Sequence, residues 1–434
     1  MPFRTGALVG CALLATTSLV QAETVTIATV NNSDMIRMQD LADDFAAKHP
    51  DIELDWVTLE ENVLRGRVNQ YIAAQSGQFD ILTIGNYETP IWAAQGWIEP
   101  LDDLPDYDAG DLIPAVVEGL TVDGKLYAAP FYGESAMTMY RTDLAEAAGV
   151  DIPAEPTWAD VWAAAEAMTD RDNEIYGICL RGLPGWGQNM GFITAMANSY
   201  GARWFDEDWV PQLDSPEWTA AVTDYVDMMA KYGPPDASSN GFKENLSLFQ
   251  QGKCAIWIDA TVAASALTNP DDSTVADNVG FALFPSKEGV DNRGNWLWAW
   301  SFAVASSSDV KDAAKQFISW ATGKDYIELV AANEGWVSVP PGTRTSLYEN
   351  DNYLAAAPFA EMTLDAMNAA TPDTPSVQET PYGGGQFVAI PEYAGIGDQV
   401  GEEMAAALAG QQSAEEALAN AQAIAADEME AASY

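Results

Sequence analysis

A chain of 434 residues is longer than the roughly 250 to 300 at which one hydrophobic core stops growing, so two or more lobes are expected. With 48% apolar and 19% charged residues, and 15 Trp, 16 Tyr and 14 Phe, the composition fills buried cores and excludes wholesale disorder. A net charge of −46 repels polyphosphate and anionic lipid and supplies no counterion release, which excludes nucleic acid as a partner, and a single histidine, His49, excludes a multi-histidine metal site.

In chain order, Arg4, the apolar stretch Ala7 to Val20 and Val20-Gln21-Ala22 match the three parts of a secretory signal, so residues 1–22 are expected to be a leader and Glu23 the start of the exported chain. Leu8-Val9-Gly10-Cys11 offers a competing lipoprotein reading, set aside because Cys11 lies inside the apolar stretch. Thr24 to Val30 alternates as a strand and leads through Asn31-Asn32-Ser33 into a helix with Met38, Leu41 and Phe45 on one face. His49 falls at the expected helix end before Pro50, where a helix-stop role outweighs a catalytic one. A second strand, Ile52 to Trp56, a helix over 62–75 and a short apolar strand, Phe79 to Ile84, complete a β-α-β-α-β order that argues for an open α/β sheet.

Extended runs follow at Lys125 to Tyr132 and Ser135 to Tyr140. Thr157 is placed to cap a helix carrying Trp158, Val161 and Met168, and Ser215-Pro216 opens another with Trp218 and Tyr225. Ile175 to Leu180 and Cys254 to Ile258 read as strands of a second α/β lobe. Asn295 to Ala305 reads as a strand with Trp296, Trp298 and Trp300 on one side, followed by a helix over 309–321. Residues 376–393 are rich in Pro and Gly and read as loop; acidic, alanine-rich helices fill 396–431. Without the leader, two cysteines remain, Cys179 and Cys254. In an oxidising compartment they are expected to form one disulfide, with two separately buried thiols as the alternative.

In an open α/β sheet a ligand lies beyond the carboxyl ends of the strands. Asn31, Asn32, Asn86, Tyr87, Glu134, Arg181 and Asp259 all stand at such ends. Each alone also suits a helix cap or turn; together they form a consistent set. They suit a neutral sugar or sugar alcohol, whose C–H faces pack on aromatic rings and whose hydroxyls both donate and accept hydrogen bonds. Trp186, Trp298, Trp300 and Tyr87 then form the aromatic platform, and Asp259, Glu134, Arg181 and the asparagines the polar frame. The guanidinium of Arg181 equally suits a ligand carboxylate. No spacing selects a catalytic carboxylate pair, no phosphate-binding loop is present, and Asp102-Asp103 and Asp271-Asp272 lack the spaced ligands of a calcium loop. No enzyme activity, cofactor or metal is therefore expected.

Gly201-Ala202-Arg203-Trp204-Phe205-Asp206, Leu213-Asp214-Ser215-Pro216-Glu217 and Phe249-Gln250-Gln251-Gly252-Lys253-Cys254-Ala255 resemble recurring segments of the extracellular solute-binding proteins of bacterial carbohydrate ABC transporters. Leu59-Glu60-Glu61-Asn62-Val63-Leu64-Arg65, Arg181-Gly182-Leu183-Pro184-Gly185-Trp186-Gly187 and the three-Trp strand resemble the sorbitol and mannitol branch. The resemblance implies the two-lobed periplasmic binding protein fold. Each lobe is then an open, mostly parallel sheet flanked by helices, with a hinge of crossing strands. Residues 23–132 and 285–340 form one lobe, and 133–284 with 341–434 the other. It further implies a monomer that captures a linear polyol by lobe closure, with Asp259 and Trp298 in direct ligand contact and removable without unfolding, and delivers it to an inner-membrane permease. A disaccharide or other neutral sugar is the alternative within the class, and a secreted glycosidase or lectin the alternative outside it.

Overall fold

The computed structural model describes residues 22–434; the expected leader, apart from its last residue, and Cys11 lie outside the described residues. The strands are β1 Glu23–Val30, β2 Ile52–Leu59, β3 Ile81–Ile84, β4 Thr121–Val122, β5 Lys125–Leu126, β6 Ala129–Glu134, β7 Ala136–Arg141, β8 Ile256–Ala260, β9 Val279–Leu283 and β10 Trp298–Val304. A five-stranded sheet, ordered β2-β1-β3-β10-β6, forms the first lobe. β1 runs parallel to β2 and β3, while β10 is antiparallel to β3 and β6. All four residues of β3 are buried, as a strand covered on both faces requires. The helix Glu61–Ala74 that follows β2 buries Leu64, Val68 and Ile72.

The second lobe departs from the expected parallel sheet. Its three strands, ordered β8-β7-β9, pair antiparallel throughout. The cause is the crossing chain: β7 leaves the first lobe at Glu134 and runs outward, whereas β8 and β9 both return toward the interlobe gap. The expected strand over 175–180 is reduced to isolated bridges, Ile175 antiparallel to Asp170, and Tyr176 to Cys254 and Cys179 to Trp257 in parallel. The parallel pair still lays this segment alongside β8. Cys179 and Cys254 are joined by a disulfide.

Helix signals hold where caps are present. Thr157 opens the helix Trp158–Met168 with a full capping box, and Ser215 caps Pro216–Tyr232. The single helix expected after β1 breaks at Leu41 into Ser33–Asp40 and Ala42–Lys48. The C-terminal helices Tyr393–Leu408 and Ala414–Ala432 pack on each other and on Pro216–Tyr232, within the second lobe.

Two stretches near the expected lobe boundaries sit with the other lobe. Ser286 bridges Thr157, and Asn295 Nδ2 donates to Ala136 O at 2.7 Å, so residues 286–295 lie on the second lobe. Arg344 donates to Thr322 O at 2.9 Å and Asp108 O at 2.9 Å, and Ser346 Oγ bonds Asp111, so that stretch stays on the first. Next to the crossing, Gly133 N–H donates to Pro341 O at 2.9 Å, and Gly342, at φ +76°, packs its backbone against that of Gly133 so closely that a Cβ on either would overlap the other's carbonyl.

Candidate functional site

Between the lobes lies a cavity of about 80 Å³. On the measure by which one water needs roughly 10–15 Å³, it has room for a single small molecule. Strand ends supply its first-lobe wall. After β1, Asn31 and Asn32 reach it, and Asn32 does double duty: its Oδ1 caps the following helix by accepting from Met35 N–H at 2.9 Å, while its Nδ2 donates to the Tyr132 hydroxyl at 3.0 Å. β6 ends on Glu134, and β10 contributes Trp298 and Trp300, with Trp296 just ahead of it. The second lobe contributes Arg181, Trp186, Gln188 and Phe242.

The indoles surround a guanidinium. Arg65 Cζ lies 4.0, 4.9 and 4.8 Å from the ring centres of Trp186, Trp298 and Trp300. Such contacts are worth about 2 kcal/mol when desolvated. Arg65 Nη1 donates to Glu88 Oε1 at 2.8 Å and Nη2 to Glu61 Oε1 at 3.0 Å, so its charge is matched within the wall. Trp186 belongs to the second lobe and Arg65 to the first, so the stack also joins the lobes. Beside it, Gln188 Nε2 donates to Glu61 Oε2 at 3.1 Å and Asn62 Nδ2 to Pro184 O at 3.0 Å.

Deeper, Arg181 is committed. Its Nε and Nη2 donate to both oxygens of Asp259, the shortest at 2.6 Å, and its Nη1 donates to Gly187 O at 2.9 Å. Burial opposes the guanidinium's charge, and the Asp259 carboxylate overcomes it and holds the pKa above its ordinary range. Glu134, by contrast, makes no side-chain hydrogen bond among the described residues. Burial pushes its pKa up to about 8; Arg181 pulls it down, and Asp259, Glu61 and Asp34 add to the rise. At neutral pH it is a neutral carboxyl, able to donate and to accept.

Three expected pocket residues do not line the cavity. Trp298 packs over Gly85, where a Cβ would overlap the indole, and so fills the space at the end of β3. Behind it, Asn86 Oδ1 accepts from Ala299 N–H at 2.7 Å and fixes β10. Tyr87 stands behind Trp186, ring centres 4.7 Å apart, its hydroxyl donating to Ile390 O at 3.0 Å and accepting from Ala394 N–H at 3.1 Å across the lobes. Asp259 is wholly buried; beyond Arg181 it accepts from Trp257 Nε1–H at 3.1 Å and Ala260 N–H at 2.7 Å, which uses its oxygens. Conversely, Glu60, Glu61 and Arg65 line the cavity and were missed. They follow the end of β2, where the strand-end rule applies equally. Gln188 and Gln386 were also missed, and Gln386 lies in an aperiodic loop that offers no signal.

Two lobes that meet over a small, aromatic-walled cavity define a ligand-binding protein of the periplasmic type. The chain belongs to the bacterial extracellular solute-binding protein family, whose sequence profile matches residues 32–328. It is 53% identical over 99% of its length, and 98% of the relative's, to a mannitol-binding protein of Pseudomonas aeruginosa. The crystal structure of an ABC transporter solute-binding protein from Agrobacterium vitis S4 with bound D-mannitol is 60% identical, with a TM-score of 0.94 over 95% of this chain and 100% of that one. A ribitol complex from Agrobacterium radiobacter K84, 23% identical with a TM-score of 0.83 over 94% and 98%, shares the fold.

Proposed function

We propose that this chain is the substrate-binding protein of an ABC importer, that it captures a linear polyol by lobe closure, and that D-mannitol is its first candidate ligand. The observation that carries the reading is the interlobe cavity, whose wall combines three indoles with the Glu134 carboxyl and the Gln188 and Gln386 amide oxygens, which have no hydrogen-bond partner among the described residues. The 60% identical relative crystallised with D-mannitol supports the hexitol among polyols.

In this reading Asn31, Asn32, Glu134, Arg181, Trp186, Trp298 and Trp300 touch the ligand, while Asn86, Tyr87 and Asp259 hold the residues that do. We take the lobes to divide near the expected boundaries, except that the stretch around 286–295 joins the second and that around 343–346 the first. The leader delivers the chain to the periplasm, and an inner-membrane permease receives the closed form. The protein binds and does not transform its ligand. Ligand favours closure by its differential affinity for the closed state.

A thermal-shift panel of D-mannitol, D-sorbitol, ribitol and maltose tests the reading. Ligand at a hundred times its dissociation constant stabilises the native state by about 2.7 kcal/mol. A shift with the hexitols supports the assignment; a shift with maltose alone, or with none of the four, overturns it.

A further inference from the structure

Several polar groups on the cavity wall already have partners: Arg181 is held by Asp259 and Gly187, Arg65 by Glu61 and Glu88, and the Asn32 amide by Tyr132 and Met35. Besides Glu134, two buried amides are different. Gln188 is 4% exposed and precedes the helix Asn189–Ser199, yet its side chain does not cap that helix. Its Nε2 donates to Glu61 Oε2. A carboxylate only accepts, so this bond fixes which end of the amide faces the other lobe. The remaining end, Oε1, is buried on the cavity wall near Gly241 with no donor.

Gln386 is 8% exposed and makes no side-chain hydrogen bond among the described residues, and its Oε1 is likewise buried without a donor. Its place is fixed by the backbone around it. Asn198 Nδ2 donates to Gly385 O at 2.6 Å, Ala389 N–H donates to Gly383 O at 2.9 Å, and Gly385 backs onto Trp296. The loop therefore holds a desolvated amide at the wall, where it destabilises the empty protein unless a donor arrives.

We propose that Gln188 and Gln386 are the hydroxyl-reading amides of the cavity, each offering a carbonyl oxygen to a ligand O–H, so that the site takes an uncharged polyhydroxy chain and discriminates against the same chain ending in a carboxylate. The inference rests on the polyol reading above. A carboxylate in place of a terminal hydroxymethyl brings lone pairs to oxygens that need hydrogens, and it adds negative charge beside Glu60, Glu61 and Glu244 on the same wall. Lys243 also lines the cavity, shared with an adjoining groove that carries Ser33 and Asp40, and is one cation against those three carboxylates.

The test is titration calorimetry of the full chain and of Gln386→Leu and Gln188→Met with D-mannitol and with D-mannonate. The expected result is at least a tenfold loss of D-mannitol affinity in each variant, and wild-type D-mannonate binding at least tenfold weaker than D-mannitol. The melting temperature of ligand-free Gln386→Leu should equal or exceed that of wild type, since the amide removed has no protein partner. Wild-type affinity in both variants, equal binding of mannonate, or affinity lost only together with ligand-free stability overturns the inference. If wild type binds no hexitol, the polyol reading itself fails and the inference with it; if wild type binds and the variants bind equally, the inference alone fails.

Discussion

Glu134 makes ligand capture depend on pH. In this structure burial raises its carboxyl from an ordinary 4.5 to about 8, with Asp259, Glu61 and Asp34 adding like charge and the Arg181 guanidinium already taken by Asp259; the prediction takes opening of the lobes to return the group to water and to its ordinary value. Between those values closure takes up one proton. The sign follows: closure is most favourable below about pH 4.5, weakens tenfold per pH unit above it, and levels off once the pH passes about 8. From pH 6 to pH 8 the D-mannitol dissociation constant should therefore rise by about fiftyfold, roughly 2.3 kcal/mol. Calorimetry across that range measures it, and repeating the titration at pH 7 in buffers of different ionisation enthalpy counts the proton directly. Glu134→Gln keeps a neutral donor and acceptor in place and should flatten the profile. A wild-type constant unchanged within twofold between pH 6 and pH 8, with no proton taken up, would refute the reasoning.

Replacing Asp259 by Ala strands the buried Arg181 charge, and breaking such a pair costs about 3–5 kcal/mol, so the denaturation midpoint should fall along with ligand affinity. A variant that lost affinity at wild-type stability would return Asp259 to direct ligand contact. Tyr87→Phe removes the hydroxyl bonded to Ile390 and Ala394 across the lobes and should weaken D-mannitol binding about fivefold, as one hydrogen bond of about 1 kcal/mol predicts; unchanged calorimetric affinity would show that the bond does not report on closure. Cys179→Ser with Cys254→Ser opens a loop of 75 residues and should lower unfolding free energy by roughly 4 kcal/mol in the chain-entropy model, and equal urea midpoints would contradict that. At a net charge of −46, self-repulsion should be relieved by salt, raising the ligand-free melting temperature between 0.1 and 1 M NaCl; a flat profile would show that the repulsion is not felt.

The elements whose cause is local were legible from the residues: the period of two that turned Trp296, Trp298 and Trp300 to the cavity, the capping box at Thr157, the Pro after Ser215. The strand-end rule brought Asn31, Asn32, Glu134 and Arg181 to the wall. It failed at the end of β3 for a tertiary reason. Sequence spacing says that Asn86 and Tyr87 emerge there, but not that an indole from β10, more than two hundred positions later, occupies the space over Gly85. Asp259 shows a related limit: a buried carboxylate and a buried guanidinium at neighbouring strand ends satisfy each other first, and only the pairing reveals which of them is left facing inward. The antiparallel second sheet follows from where the chain crosses between lobes, which composition does not encode.

Glu134 follows directly on a close contact of bare backbone. Where Gly133 meets Gly342, two peptide planes rest on each other with no side chain between them, like a journal against its bearing. A methyl group on either would have to lever the crossing strand away from its neighbour, tilting the carboxyl and the paired Trp298 together. The alignment of the trap is thus machined into bare main chain, and no adjustment of the aromatic walls would restore it.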